Sequence, residues 1–131
     1  MTHHIAQINI GTLLYDLDDP RLGEFMGNLD RINAVAEASP GFVWRLKDQS
    51  GNATAIRAFD DPRMAINMSV WTSIAALQHF AYRSEHVQFM RRRLDWFEPH
   101  TGVFMALWWV AAGEIPVAAD GLSRLALYQA S

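Results

Sequence analysis

The chain has no cysteine among its 131 residues, so neither disulfides nor thiolate chemistry are available to it. Its longest apolar run, residues 103–112, is about ten residues long and therefore too short to cross a bilayer. The N-terminal segment lacks the basic stretch followed by an apolar one that marks a secretory signal. The lack of a signal and of a membrane-spanning run favours a cytoplasmic protein with no membrane partner, whereas the lack of cysteine does not by itself fix the compartment.

Charge is also scarce, at 19% of the residues with a net charge of −3. Nucleic-acid binding requires a basic surface, so this balance argues against such a partner. Aromatic residues are abundant by contrast, with five Trp and seven Phe. They indicate either an aromatic core or an apolar surface kept for a partner or ligand. The length predicts a single domain over residues 1–131.

The short motifs of metal, nucleotide and hydrolase sites are missing as well. The His3-His4 pair has no HxH or HExxH context, and no Walker loop, dinucleotide fingerprint or GxSxG occurs. We therefore expect no metal and no cofactor.

Hydrophobic periodicity predicts an alternation of strands and helices. Strands are expected at 4–10, 42–46, 65–71 and 103–110, with 54–59 as a hairpin partner of 42–46. Helices are expected from the Asp18-Asp19-Pro20 start signal to Ser39, from 73 to about 97 with a break near Arg83-Ser84, and over 116–128. The order is β-α-β-β-α-β plus a C-terminal helix.

This order is that of a ferredoxin-like α+β fold with an antiparallel sheet. Helices would cover one face of the sheet and leave the other bare in a single copy. Strand 103–110 is nevertheless apolar on both faces, as in strands covered on both sides. Burial against a second copy predicts a homodimer, the dimeric α+β barrel.

The strand at 65–71 alternates, so that Asn67, Ser69 and Trp71 share one face. Gln7 and Asn9 present amides from the strand expected beside it. These groups could line a pocket between sheet and helices and bind a small-molecule substrate. Alternatively, they could bond one another or trapped water at the dimer seam.

The helix that follows carries His79 and His86, which are seven residues apart, about two helical turns, and so lie on nearly one face. A neutral imidazole could take a proton from a phenol or an activated carbon acid. A satisfied or surface histidine is the alternative for each. His86 is the better candidate base because Ser84-Glu85 can cap a second helical segment.

The arginine run at residues 91–93 could bind an anion such as phosphate, but consecutive helix residues point about 100° apart, so a solvated face is favoured. Arg45 is a better single anchor for a carboxylate or enolate. Most of the tryptophans are expected in the core or an interface, with Trp96 and Trp108 as candidates for lining a cavity.

The chain resembles the dimeric α+β-barrel superfamily that includes the antibiotic-biosynthesis monooxygenases. It is more similar still to a bacterial family of that fold with no assigned function. The stretches that carry the resemblance are HIAQIN (4–9), NLDRIN (28–33), ASPGFVWR (38–45), FDDPR (59–63), NMSVW (67–71), RRRLDWF (91–97) and LWW (107–109).

The resemblance implies particular chemistry. Cofactor-independent, quinone-forming monooxygenases of that superfamily place an Asn and a Trp four residues apart on one strand, as Asn67 and Trp71 are here. They also employ a Tyr and an Arg on or near the next helix, for which Tyr82 and Arg83 are available. Haem-degrading members instead use an Asn, a Trp and a helix His, and haem binding is the weaker alternative.

Together these features predict a cofactor-independent monooxygenase acting on a planar aromatic or polyketide-like molecule. His86 or His79 would assist deprotonation, and Asn67 and the Trp71 indole N–H would bind the developing oxyanion. Gln7, Asn9, Arg45, Ser69 and Tyr82 would bind the substrate. A cyclase or isomerase on the same pocket and a non-catalytic ligand-binding dimer are the alternatives.

Overall fold

The computed structural model describes residues 2–16, 18–47, 63–84, 86–99 and 104–130. Its strands are β1 (His3–Thr12), β2 (Phe42–Arg45), β3 (Met64–Trp71) and β4 (Met105–Ala111). Its helices are α1 (Gly23–Ala38), α2 (Ile74–Arg83), α3 (His86–Arg91) and α4 (Ala118–Ala130), with short 3-10 turns at Pro20–Leu22 and Arg93–Asp95. The expected hairpin partner at 54–59 lies outside the described residues.

The four strands form one antiparallel sheet in the order β2-β3-β1-β4. This order and the β-α-β-β-α-β chain path confirm the predicted ferredoxin-like fold. Most observed strand and helix boundaries differ from the predicted ones by a few residues. The exception is α3, which was predicted to reach about Phe97 but ends at Arg91 and is followed by a 3-10 turn. None of the helices in the described ranges is both long enough and apolar enough to span a bilayer.

The starts and breaks of the helices follow local chemistry. Asp19 accepts a hydrogen bond from the Arg21 N–H at 2.9 Å and caps the turn that leads into α1. Ser73 accepts from the Ala76 N–H at 3.1 Å and caps α2. The predicted break is also present, because the Ser84 hydroxyl ends α2 and accepts from the His86 N–H at 3.1 Å.

The second face of the sheet packs against α4. Ile8, Met68, Val70 and Trp108 are buried there with Leu125 of α4. The expectation that this face would be bare in a single copy is therefore wrong. The apolar residues of β4 on this face are covered by α4 of the same chain, so they no longer imply a homodimer.

Close approach of α4 to the sheet depends on Gly121. A Cβ built at this position would lie 2.7 Å from the Met68 Sδ and 2.8 Å from the Ile8 Cδ1, both in the buried core. Because such distances are shorter than van der Waals contact, any side chain at this position must displace the helix or repack the core.

Replacing Gly121 with valine is expected to lower the free energy of unfolding by about 1–3 kcal/mol. Gly27→Ala in α1 is the control, since a Cβ there meets nothing within 4 Å. Higher helix propensity should make that variant more stable by about 0.5–1 kcal/mol. Urea unfolding followed by circular dichroism gives both values. Equal stability of Gly121→Val and the wild type would mean that α4 does not pack this closely.

Candidate functional site

The polar side chains of β1 and β3 lie on the face of the sheet that carries α1 and α2. Gln7 pairs with Ser69 and Asn9 with Asn67 in the antiparallel register, so all four share a face. Trp71, on the same face, packs against Ala36 of α1 and the α2 side chains. The alternation in the sequence thus places these groups between sheet and helices, rather than on the face covered by α4.

A hydrogen-bond network joins them. The Trp71 indole N–H donates to the Ser69 Oγ at 2.9 Å, and the Gln7 amide N–H donates to the same oxygen at 2.8 Å. The Gln7 amide also donates to the Asn67 Oδ1 at 2.7 Å. Asn9 donates to the Gln7 Oε1 at 2.9 Å and to the Asn67 Oδ1 at 3.3 Å. Each buried member therefore has the partners that burial requires.

The network runs from the core to the surface. Trp71 is completely buried, Gln7 and Ser69 are buried, Asn9 is half-buried and Asn67 is exposed. Asn67 accepts through its oxygen, while its Nδ2 makes no hydrogen bond with the described residues. The exposed end therefore presents an amide donor whose orientation the buried end holds in place.

Trp71 is covered by an aromatic stack rather than by an open chamber. Phe80 of α2 stacks on its ring at 5.1 Å between centroids, and Phe42 contacts it edge to face at 5.5 Å. His86 in turn contacts Phe80 at 4.8 Å. With its N–H bonded to Ser69, Trp71 is placed to orient the network and not to touch a ligand directly.

The His86 imidazole is half-buried at the start of α3. Its Nδ1 lies 3.2 Å from the Ala81 carbonyl oxygen. A carbonyl oxygen can only accept, so Nδ1 carries the proton and Nε2 is left as the basic nitrogen of the neutral ring. Desolvation lowers the pKa of His86 from its ordinary value of 6.5, and the bond to Ala81 opposes this only in part. The ring is thus kept neutral near physiological pH.

The lowered pKa of His86 predicts a pH dependence of stability. The unfolded chain binds this proton more readily than the folded one, so acidification from about pH 7.5 to about pH 5.5 should lower the free energy of unfolding. His86→Gln should lose this part of the dependence, whereas His79→Gln should retain it. Urea unfolding at a series of pH values provides the test. An unchanged slope in His86→Gln would contradict the burial of this imidazole.

The break at Ser84 separates the two candidate histidines. His79 is exposed and lines a shallow surface depression of about 420 Å³ together with Tyr82 and Arg83. This depression lies on the outer side of α2, whereas His86 faces Phe80. The shared face expected from their spacing is therefore wrong, because the break near Ser84, which the sequence also predicted, interrupts the helical period between the two histidines.

Arg45 lies beside the network on β2. It pairs with Ser69 across the strands, and its side chain is only 14% exposed. Its Nε is 3.7 Å from Glu37 Oε2 of α1 and forms no hydrogen bond within the described ranges. A long ion pair of this kind leaves the guanidinium able to bond a further acceptor.

The arginine run divides into two environments. Arg92 binds Glu24 and Asp95 at the surface, which agrees with the solvated face expected from the sequence. Arg93 turns inward instead, and burial lowers the pKa of its guanidinium. Its side chain lies over the Phe97 ring, at 5.1 Å from the ring centroid.

Arg93 is a candidate that sequence reasoning missed. One of its terminal nitrogens would be 3.4 Å from a Cβ built at Gly11, two residues beyond Asn9 on the same face of β1. It therefore lies on the same face of the sheet as the network, two residues along β1 from Asn9. Successive helix residues point about 100° apart, so the three arginines had to face different directions. Which of them turns inward depends on how this segment lies on the sheet, and the sequence does not show that.

Two of the expected cavity residues lie elsewhere. Trp96 is buried with Leu13 and Leu22 in a separate cluster. Trp108 is buried on the α4 face of the sheet.

In the described ranges no three His, Cys, Asp or Glu side chains are grouped as metal ligands would be.

The sheet order and the helices on it define a ferredoxin-like α+β protein. The chain belongs to the family described as "Domain of unknown function (DUF3291)", whose model matches residues 4–131. A comparison with curated proteins finds no match.

Several solved structures have a similar fold. SnoaB, a cofactor-independent oxygenase from Streptomyces nogalater, is 17% identical with a TM-score of 0.54, over 88% of this chain and 100% of that one. A Nitrosomonas europaea protein proposed to be an antibiotic biosynthesis monooxygenase is 12% identical, with a TM-score of 0.55 over 86% and 93% of the two chains. A dabb family protein from Mesorhizobium loti is 14% identical, with a TM-score of 0.52 over 89% and 100%. At these identities the likeness shows the fold alone, and the fold agrees with the predicted ferredoxin-like arrangement.

Proposed function

We propose that this protein is a small-molecule enzyme, a cofactor-independent monooxygenase acting on a planar aromatic or polyketide-like substrate. The observation that carries the proposal is the exposed amide of Asn67, held by a buried network on the helix side of the sheet. A donor fixed in advance is the kind of group that stabilises an oxyanion most effectively. The similarity of the fold to SnoaB supports the same chemistry.

In the proposed reaction the substrate first loses a proton to His86, whose neutral ring has Nε2 as its base. Asn67 binds the resulting oxyanion through its amide N–H groups. Asn9, whose N–H groups are bonded to Gln7 and Asn67, helps to hold Asn67 in place. The electron-rich carbanion then reduces dioxygen directly. One oxygen atom becomes the carbonyl oxygen on the substrate carbon. That carbon gives up two hydrogens, and these leave with the other oxygen atom as water.

The other predicted residues have graded roles in this proposal. Trp71, Ser69 and Gln7 orient the asparagines, while Arg93 and Arg45 supply positive charge on the same face of the sheet. His79 and Tyr82 lie apart from this arrangement, in the depression on the outer surface of α2, and have no role in the proposed reaction. A homodimer remains a proposal.

A non-catalytic ligand-binding protein is the second candidate. The specific observation in its favour is that the buried groups of the network are satisfied by one another. A binding protein would hold its ligand at the same asparagines without consuming oxygen.

Oxygen uptake separates the two candidates. The purified protein is mixed, without added metal or cofactor, with a panel of planar phenols and enolisable polyketide-like compounds, and dissolved oxygen is followed with an electrode. The proposal predicts uptake above the uncatalysed rate with at least one compound, and one oxygen molecule consumed per product. Binding without uptake across the panel would favour the second candidate, and an oxygen-independent conversion would indicate a cyclase or isomerase.

A further inference from the structure

A cleft lies between the end of β4 and the first half of α4, with His3 of β1 alongside. Its volume of about 460 Å³ is within the range of pockets that bind small molecules. It shares no lining residue with the hydrogen-bond network of β1 and β3. A molecule bound in this cleft would therefore lie apart from the proposed catalytic groups.

One part of the cleft is apolar. Trp109 is 56% exposed and Ile115 is 48% exposed, and both line it. Trp108 and Pro116, which are buried, line it as well. An indole beside a branched aliphatic side chain gives an apolar surface on which a ligand side chain of similar size can pack.

The α4 side of the cleft supplies unpaired hydrogen-bond donors. Arg124 follows Asp120 by four residues, a spacing at which the two side chains often pair on a helix. Asp120 instead accepts from the Val117 N–H at 2.9 Å, and Arg124 has no ion pair within the described ranges. The Ser123 hydroxyl, also in the cleft, makes no hydrogen bond with the described residues. A guanidinium and a hydroxyl are thus available to donate to a carboxylate.

The connection between β4 and α4 supplies an unpaired anion. The Glu114 N–H donates to the Ala111 oxygen at 2.9 Å, which fixes the turn, while its exposed carboxylate has no ion pair in the described part of the chain. Glu114 and Arg124 line one cleft without pairing with each other. Charges of both signs are therefore left for a ligand that carries their complements.

The charges of the cleft also decide which ligands fit. Two carboxylates and one arginine disfavour a phosphate or a nucleotide, because such anions are bound by an excess of positive charge. A molecule with one carboxylate and one ammonium group matches the two unpaired charges instead. An apolar side chain on the same molecule matches Trp109 and Ile115.

We propose that this cleft binds a free amino acid with an aromatic or branched apolar side chain. Arg124 and Ser123 bind its carboxylate, Glu114 binds its ammonium group, and its side chain packs against Trp109 and Ile115. The amino acid is a second ligand and not the substrate of the proposed reaction, since none of these residues belongs to the network.

The test uses isothermal titration calorimetry with L-phenylalanine and L-leucine as probes. At least one should bind saturably, with one molecule per chain. 3-Phenylpropionate lacks the ammonium group of phenylalanine and phenethylamine lacks its carboxylate. Each analogue should bind at least about 5-fold more weakly than phenylalanine, because each loses one charged hydrogen-bonding partner.

Two variants assign the contacts. Arg124→Gln should weaken phenylalanine binding by at least about 5-fold and leave phenethylamine binding unchanged. Glu114→Gln should weaken phenylalanine binding to a similar extent and leave 3-phenylpropionate binding unchanged. Arg91→Gln is the matched control, since Arg91 is an exposed arginine of α3 with no ion pair within the described ranges, and it should change nothing. Circular dichroism verifies that each variant is folded.

Absence of saturable binding with both amino acids would overturn the proposal, as would an Arg124→Gln variant that binds phenylalanine like the wild type. N-acetyl-phenylalanine amide carries neither charge. If it bound as tightly as phenylalanine, the occupant would be an apolar segment of polypeptide and not a free amino acid. Oxygen uptake is not part of this readout, so amino-acid binding without uptake would contradict only the proposed function.

Discussion

Asn67→Ala is expected to lower kcat for oxygen uptake by about 100- to 1,000-fold, the usual effect of removing one preorganised oxyanion donor. The asparagine is exposed, and buried Gln7, which loses one acceptor, still donates to Ser69, so the fold should be retained. Uptake rates at saturating substrate give the effect, and circular dichroism verifies the fold.

Asn28→Ala is the matched control for this variant. Asn28 is on α1 and donates to the Glu24 backbone oxygen at 2.7 Å, away from the sheet. Its replacement should leave kcat within about twofold of the wild type, since nothing in the proposed site changes. If Asn67→Ala turned over as fast as Asn28→Ala, the amide would have no part in the reaction.

Trp71→Ala is expected to lower the free energy of unfolding by about 3–5 kcal/mol. The side chain is completely buried between Phe42 and Phe80, and its removal leaves a large cavity beneath α2. It also deprives Ser69 of one hydrogen-bond donor. Urea unfolding provides the value.

Leu94→Ala is the control for this loss. The Leu94 side chain is 63% exposed, so its truncation should lower the free energy of unfolding by less than about 0.5 kcal/mol. Trp71→Phe helps to separate packing from hydrogen bonding, since it keeps an aromatic ring and much of the volume but removes the indole N–H. A cost of about 1–2 kcal/mol is expected for that variant. Equal stability of Trp71→Ala and Leu94→Ala would contradict the buried position of the tryptophan.

The fold could be predicted from the sequence because each strand and helix has a strong local signal. Alternation over 65–71 placed Asn67 and Trp71 on one face, and the serine at position 84 marked the break in the second helix. Both signals involve neighbours in sequence, which obey the periods of strands and helices.

The parts that could not be predicted depend on contacts between distant segments. That α4 covers the second face follows from the space that Gly121 leaves above Met68, and no local pattern shows it. The inward turn of Arg93 and the separation of His79 from His86 likewise depend on how the helices lie on the sheet. The sequence also could not show that the Trp71 N–H is buried against Ser69. That arrangement depends on both the orientation of β3 and the position of Phe80 in α2.

The central claim is that the exposed asparagine end of the network is where a ligand binds. The most direct test is a nuclear magnetic resonance titration that follows side-chain amide signals while a planar phenolate is added. The account predicts saturable shifts of the Asn67 and Asn9 amides, with no change for Asn28 on α1 or Gln78 on the outer side of α2. Shifts confined to Gln78, or no saturable shift at Asn67, would contradict it.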